Sequence, residues 1–226
     1  MLKFGFGVAS AALATAFAAG AASAQGSYVS VGAGFTQLDS VDTVIENGVS
    51  ANTDMNMTFG VDEDYSIRAA YGLVLGTFRV EGEFSYGNYD LHSYDSRVPA
   101  NVSRTADGSV GMMTAMANGY VDFGDASGFK PYLGAGLGAM RTEFEAAGPL
   151  PTAPSGPIVT IVDDDQINLA WQLMAGFSIP LGGNTSLTGQ YRYFDAGSYS
   201  MTAFAGHASH VDVKGSSLDV GVRIGF

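Results

Sequence analysis

Residues 216–226 read SSLDVGVRIGF, and apolar side chains take every second position: Leu218, Val220, Val222, Ile224 and Phe226. Ser217, Asp219, Gly221, Arg223 and Gly225 fill the gaps. A period of two marks a strand with two unlike faces. One face here is aliphatic and the other carries Asp and Arg, so the strand separates an apolar medium from a polar one. The last residue is aromatic.

Composition narrows what such strands can build. Of 226 residues, 46% are hydrophobic and only 14% charged, a low charge content for a water-soluble chain. The absence of cysteine excludes a disulfide scaffold, a thiolate metal site, a cysteine nucleophile and a lipidated cysteine. Lys3, the apolar stretch 4–21 and the small residues Ala22 and Ala24 around Ser23 have the three-part layout of a signal peptide. Residues 1–24 are therefore expected to be cleaved, leaving 25–226 as one exported domain. The net charge of −12, one unit more negative without Lys3, excludes nucleic acid as a partner held by a basic patch.

Beyond residue 25 no stretch of about 18 apolar residues occurs, so no transmembrane helix is expected. Alternation recurs instead, in runs that start near Val29, Tyr65, Phe78, Met113, Leu133, Leu169, Leu187 and Leu218. Eight runs match the smallest transmembrane barrel. Short Gly- and Pro-marked turns join runs two and three, four and five, and six and seven, near residues 74, 126 and 182. The remaining connections, roughly 39–57, 88–109, 142–166 and 195–214, are read as long loops. Short turns at one rim and long loops at the other are the layout of outer-membrane barrels.

Charge decides which face meets lipid. Arg68, Arg79, Glu81, Glu83, Asp122, Arg192, Asp219 and Arg223 all fall on the parity opposite to the aliphatic residues of their runs. A basic side chain facing lipid at the bilayer midplane costs about 2–4 kcal/mol, so these residues are placed in the lumen as a matched ion-pair network. Inward glycines, among them Gly32, Gly34, Gly134, Gly136, Gly138 and Gly176, are expected to leave small water pockets. A soluble sandwich or lipocalin-like barrel explains the alternation equally well. It does not explain the Gly- and Ala-rich smooth face, the aromatics near run ends (Tyr71, Phe78, Tyr86, Phe123, Tyr191, Tyr193) or the final Phe226.

The stretches SYVSVGAGF, FRVEGEFSY, ANGYVDFG with FKPYLGAGLG, AWQLMAGFSIPL, LTGQYRYFD and the terminal VRIGF resemble the small bacterial outer-membrane β-barrel family. That family includes the opacity-type proteins and is similar to the barrel half of the OmpA-type proteins. The resemblance implies an all-β, eight-stranded, up-and-down antiparallel barrel in the outer membrane. It also implies that Val220, Val222, Ile224 and Phe226 form a C-terminal signal read by the barrel assembly machinery. No residues follow the last strand to form a peptidoglycan-binding domain of the OmpA type, so wall tethering is not expected.

Candidate chemistry is sparse. His207 and Ser209 have the His-x-Ser spacing of the outer-membrane lipid A deacylases, which they resemble in that spacing alone, and the nearest downstream acid, Asp219, points into the lumen by parity. A hydrolase needs a third group to orient its base, and no catalytic residue is assigned. Asp163, Asp164, Asp165 and Gln166, like the acids of 62–65, read as solvated loop acids in preference to a divalent-cation site. Arg141, on the lipid-facing parity at the loop end of its run, is placed to meet lipid phosphate.

The expectation is a monomeric, non-enzymatic barrel without cofactor or metal. It contacts outer-membrane lipid and lipopolysaccharide, supports membrane integrity and presents acidic loops to an extracellular ligand, as a surface antigen or adhesin does. A small diffusion pore and a lipid-modifying hydrolase are the alternatives. Eight strands leave an interior that side chains can fill, which weighs against a steady pore.

Overall fold

A computed structural model describes residues 26–39, 41–45, 55–61, 64–96, 102–124, 128–149, 158–202 and 208–226. Every regular element among them is a strand: β1 (Gly26–Leu38), β2 (Val41–Ile45), β3 (Met55–Val61), β4 (Asp64–Leu75), β5 (Phe78–Ser96), β6 (Val102–Asp122), β7 (Lys130–Pro149), β8 (Ile158–Gly182), β9 (Thr185–Thr202) and β10 (Ala208–Gly225). Ala22, Ala24 and His207 lie outside the described residues.

The ten segments form eight wall strands, because β1 with β2 and β3 with β4 are two strands, each interrupted once. The pairing offset is the same on either side of the interruptions: Thr36 faces Asp64 below them and Val41 faces Phe59 above. On the flanks, β10 pairs with β1 and then β2, and β5 pairs with β4 and then β3. All neighbouring strands are antiparallel and the ring closes between β1 and β10, from Tyr28 opposite Gly225 to Leu38 opposite Gly215. Closure leaves no open sheet edge among the described strands.

Faces sort by parity as the alternation requires. Val31, Leu137, Leu169 and Val220 stand outside, each more than half exposed, whereas Arg79, Glu81, Glu83, Asp122, Arg192 and Asp219 are buried within. A soluble barrel would reverse this, so the sandwich alternative is overturned. Aromatics ring both ends of the outer apolar belt. Near the short turns stand Phe78 and Phe123, Phe129 stacked on Phe177 at 5.3 Å, and Tyr71 beside Phe226 at 6.4 Å. At the other end Phe35 meets Tyr65 at 5.7 Å and Trp171 meets Tyr193 at 5.6 Å. Such girdles mark the two interfaces of a bilayer. At the short-turn end, Gly76 and Gly183 adopt φ of 72° and 57°, the left-handed region that tight reversals use.

The long connections differ from expectation. β5, β6, β7 and β8 run for 19, 21, 20 and 25 residues, about twice the 9–11 that span a bilayer. Most of 88–109 and 142–166, read as loops, is therefore paired strand that carries the barrel wall past the apolar belt. Asp163, Asp164 and Asp165 lie within β8, opposite Glu145, Phe144 and Glu143 of β7, and form no acidic turn.

Candidate functional site

The lumen is where the chain concentrates polar side chains, and it is layered. In the middle layer Arg192 of β9 grips Glu83 of β5 with two parallel bonds, Nη1 to Oε1 at 2.5 Å and Nη2 to Oε2 at 2.8 Å. Its Nε donates to Asp219 of β10 at 3.2 Å. Arg68 of β4 approaches the same Asp219 oxygen at 2.8 Å, Gln190 donates to it at 2.9 Å, and Ser217 donates to the other oxygen at 2.9 Å. Gln172 accepts from Arg192 at 2.6 Å and donates to Asn118 at 2.7 Å. Strands from opposite sides of the ring are thus tied across the axis. Bidentate pairing suits a guanidinium because its donors are planar and fixed.

Toward the short turns, Arg79 Nε lies 2.9 Å from one Asp122 oxygen and 3.0 Å from the other, while Nη1 donates to the Tyr28 hydroxyl at 2.9 Å. Tyr28 donates in turn to Glu81 at 2.8 Å, and the Tyr120 hydroxyl lies 3.1 Å from the other Glu81 oxygen. Tyr132 donates to Gln190 at 3.1 Å and so joins this layer to the middle one. The Arg79 guanidinium packs 4.4 Å from the Tyr120 ring centre and 5.0 Å from that of Tyr132. Arg223 packs 4.7 Å from Tyr28.

All eight charges expected in the lumen are there, but they are not matched one to one. Glu81 is held by two tyrosine hydroxyls, and among the described residues no carboxylate lies within salt-bridge distance of Arg223. A ninth charge, Lys130, lies 3.8 Å from Asp122. It shares parity with Tyr132, so the alternation already pointed it inward. Tyr28 and Tyr132 are inconspicuous in the sequence for a related reason: each stands one position outside the run of apolar residues.

The inward glycines also act differently from expectation. A β-carbon on Gly134 would meet the Tyr120 ring, one on Gly72 the Tyr28 ring, and one on Gly176 the Tyr132 ring. Gly72, Gly134 and Gly176 are seats for tyrosines, and the space at Gly32, Gly34 and Gly136 is taken by Arg68, Asp219 and Asn118, so the water space left in the lumen lies elsewhere. The lumen retains a cavity of about 40 Å³ on the outer side, beside Arg68, Arg192 and Asp219. A vestibule of about 200 Å³ opens at the short-turn end.

Other candidates resolve simply. Asp219 is engaged by two arginines, and ten residues of extended strand, about 33 Å, separate it from Ser209. It cannot complete a His207–Ser209 triad. Arg141 lies 2.6 Å from Glu143 and 3.2 Å from Asp165, so it relieves two acids that face each other across β7 and β8 while remaining partly exposed on the outer face. Among the described residues no cluster of three or more acids and histidines is placed to hold a metal.

The family described as outer membrane protein beta-barrel domain matches residues 6–226. Outer membrane protein PagN of Salmonella typhimurium is 30% identical over 158 residues, 66% of this chain and 62% of that protein, so the chain spans under two thirds of that relative's length. Outer membrane protein OprG of Pseudomonas aeruginosa superposes with a TM-score of 0.57 at 16% identity, over 90% of this chain and 97% of that one. Outer membrane protease OmpT of Escherichia coli gives a TM-score of 0.55 at 7% identity, over 89% and 97%. At such identities the two structural likenesses speak for the fold alone.

Proposed function

The chain belongs to the outer membrane protein beta-barrel domain family and resides in the bacterial outer membrane, and on that footing we propose that it is a plugged scaffold with a surface-interactive rim. The barrel supports membrane integrity and the projecting wall contacts an extracellular ligand, as a surface antigen or adhesin does. The observation that carries this reading is the Arg192 bridge to Glu83 and Asp219 across the lumen, beneath hairpins that continue well beyond the apolar belt. A blocked axis leaves the outer wall as the surface through which the protein acts. The rim is acidic on its outer face, with Glu143, Glu145, Asp165 and Asp212 exposed, which suits a basic or cation-bridged partner.

The test is rescue of a strain lacking the protein by the full chain or by a barrel whose four outer hairpins are cut back to the apolar belt. Insertion is checked by the heat-dependent gel shift of folded barrels. The trimmed barrel is expected to restore exclusion of a membrane-impermeant dye while cells lose adherence to cultured host-type cells. Equal adherence by both forms contradicts the surface role, and dye leakage through the inserted trimmed barrel contradicts the scaffold role.

A further inference from the structure

The vestibule at the short-turn end has donors without acceptors. Among the described residues its walls include Arg79, Lys130 and Arg223 against one carboxylate, Asp122, with Ser178 and Ser186 beside them. Arg79 is 2% exposed, yet its Nη2 has no hydrogen-bond partner, and neither has Nε of Arg223. Both guanidinium groups flank the same two rings, Arg79 at 5.7 and 5.0 Å and Arg223 at 4.7 and 6.0 Å from the centres of Tyr28 and Tyr132. Tyr28 does not relieve them: its hydroxyl accepts from Arg79 Nη1 and donates to Glu81, and reaches neither orphan N–H.

A buried guanidinium N–H without an acceptor is costly, and an oxyanion is the group that satisfies it best. We propose that this vestibule is a binding site for a small soluble oxyanion, a carboxylate or phosphate group, entering from the periplasmic end of the barrel. Arg223 and the free edge of Arg79 supply the directed donors and Lys130 the additional charge. The cavity of about 200 Å³ takes one such group and its water. The source is a soluble anion and not a lipid headgroup because the flanking wall is paired up to the rim, Val29 with Ile224 and Ile179 with Leu187, and the ladder shifts register only at Pro180 and Gly182 beside the turn. Gly128 and Asn184, beside the short turns, line its rim.

The experiment uses the full chain in maltoside micelles, which contain no phosphate, titrated with inorganic phosphate and separately with acetate. The arginine Nε–H resonances and calorimetry are the readouts. Arg223 Nε–H is expected to shift saturably, and both R223Q and R223K to weaken binding about tenfold or more, since R223K keeps the charge but loses the directed donor. K214Q, at the opposite end, is expected to bind as the parent does. Each variant is first shown to be folded by its gel shift, and R223K serves where R223Q fails that check. No saturable shift by ~50 mM anion, or equal affinity in the folded Arg223 variants, overturns the proposal. Nanodiscs of neutral and of phosphatidylglycerol-containing lipid separate the sources. Phosphate binding retained in neutral lipid supports a soluble anion, and a shift that appears only with phosphatidylglycerol overturns it.

Discussion

Ser27 and Phe226 exchange both backbone hydrogen bonds: Ser27 N–H donates to the Phe226 carbonyl at 3.2 Å, and Phe226 N–H donates to the Ser27 carbonyl at 2.9 Å. The final residue of the chain is therefore a closing link of the ring, while its side chain leans outward against Tyr71. Those two roles separate by mutation. Phe226→Ala keeps the seam and loses the ring, so refolding into detergent is expected to weaken by only about 0.5–1.5 kcal/mol. If the terminal apolar face is an assembly signal, the same variant accumulates several-fold less folded barrel in cells. Equal cellular levels of heat-shiftable protein would remove Val220, Val222, Ile224 and Phe226 from that role.

Arg192 compensates two carboxylates at once, and its loss leaves Glu83 buried without its ion-pair partner. Arg192→Met is expected to cost about 3–5 kcal/mol in urea unfolding. The double variant R192M/E83M removes the buried charge along with its partner, while Asp219 keeps Arg68, and most of the loss should return. A double variant no more stable than the single one shows that the pair acts through something other than its charge.

Gly134 carries the Tyr120 ring, so Gly134→Ala overpacks the lumen by about 1–3 kcal/mol. Tyr120→Ala alone also destabilises. In combination the two are expected to be less than additive, because removing the ring empties the space that the new β-carbon needs. Strict additivity in a four-variant cycle would count against the seat-and-ring relationship.

Leu173 stands mid-belt on the lipid face and is 52% exposed. Leu173→Arg is expected to cost about 2–4 kcal/mol in lipid-vesicle refolding, whereas Glu145→Arg, on the same face of the wall but beyond Arg141, should cost under about 1 kcal/mol. Similar costs at both positions would mean that the apolar belt has been placed at the wrong height.

These contrasts also explain what the sequence could convey. Alternation gave the strand count and the facing of Arg79, Glu83 and Val220 because lipid on one side and lumen on the other force opposite chemistry on adjacent residues. Above the belt that constraint lapses. The outer parts of β5 to β8 meet water outside, so Asp90, Glu143 and Asp165 break the apolar rhythm while the backbone continues its ladder. The strands there consequently carry no period-two signal in the sequence. Pairings in the lumen were illegible for another reason. Arg68 meets Asp219 and Arg192 meets Glu83 only once ring closure and strand stagger bring distant strands to one height. Lys130 and Tyr132 were legible by parity, but they precede the first aliphatic residue of their run.

The plug is the centre of the account, and conductance tests it most directly. The purified barrel, confirmed as inserted, is placed in planar bilayers at neutral pH and held at moderate voltage. Traces without ohmic steps are expected for the parent, because the Arg192, Glu83 and Asp219 bridge blocks the axis. Steady, voltage-independent unitary steps in the parent protein would contradict a closed lumen and return the small diffusion pore as the function.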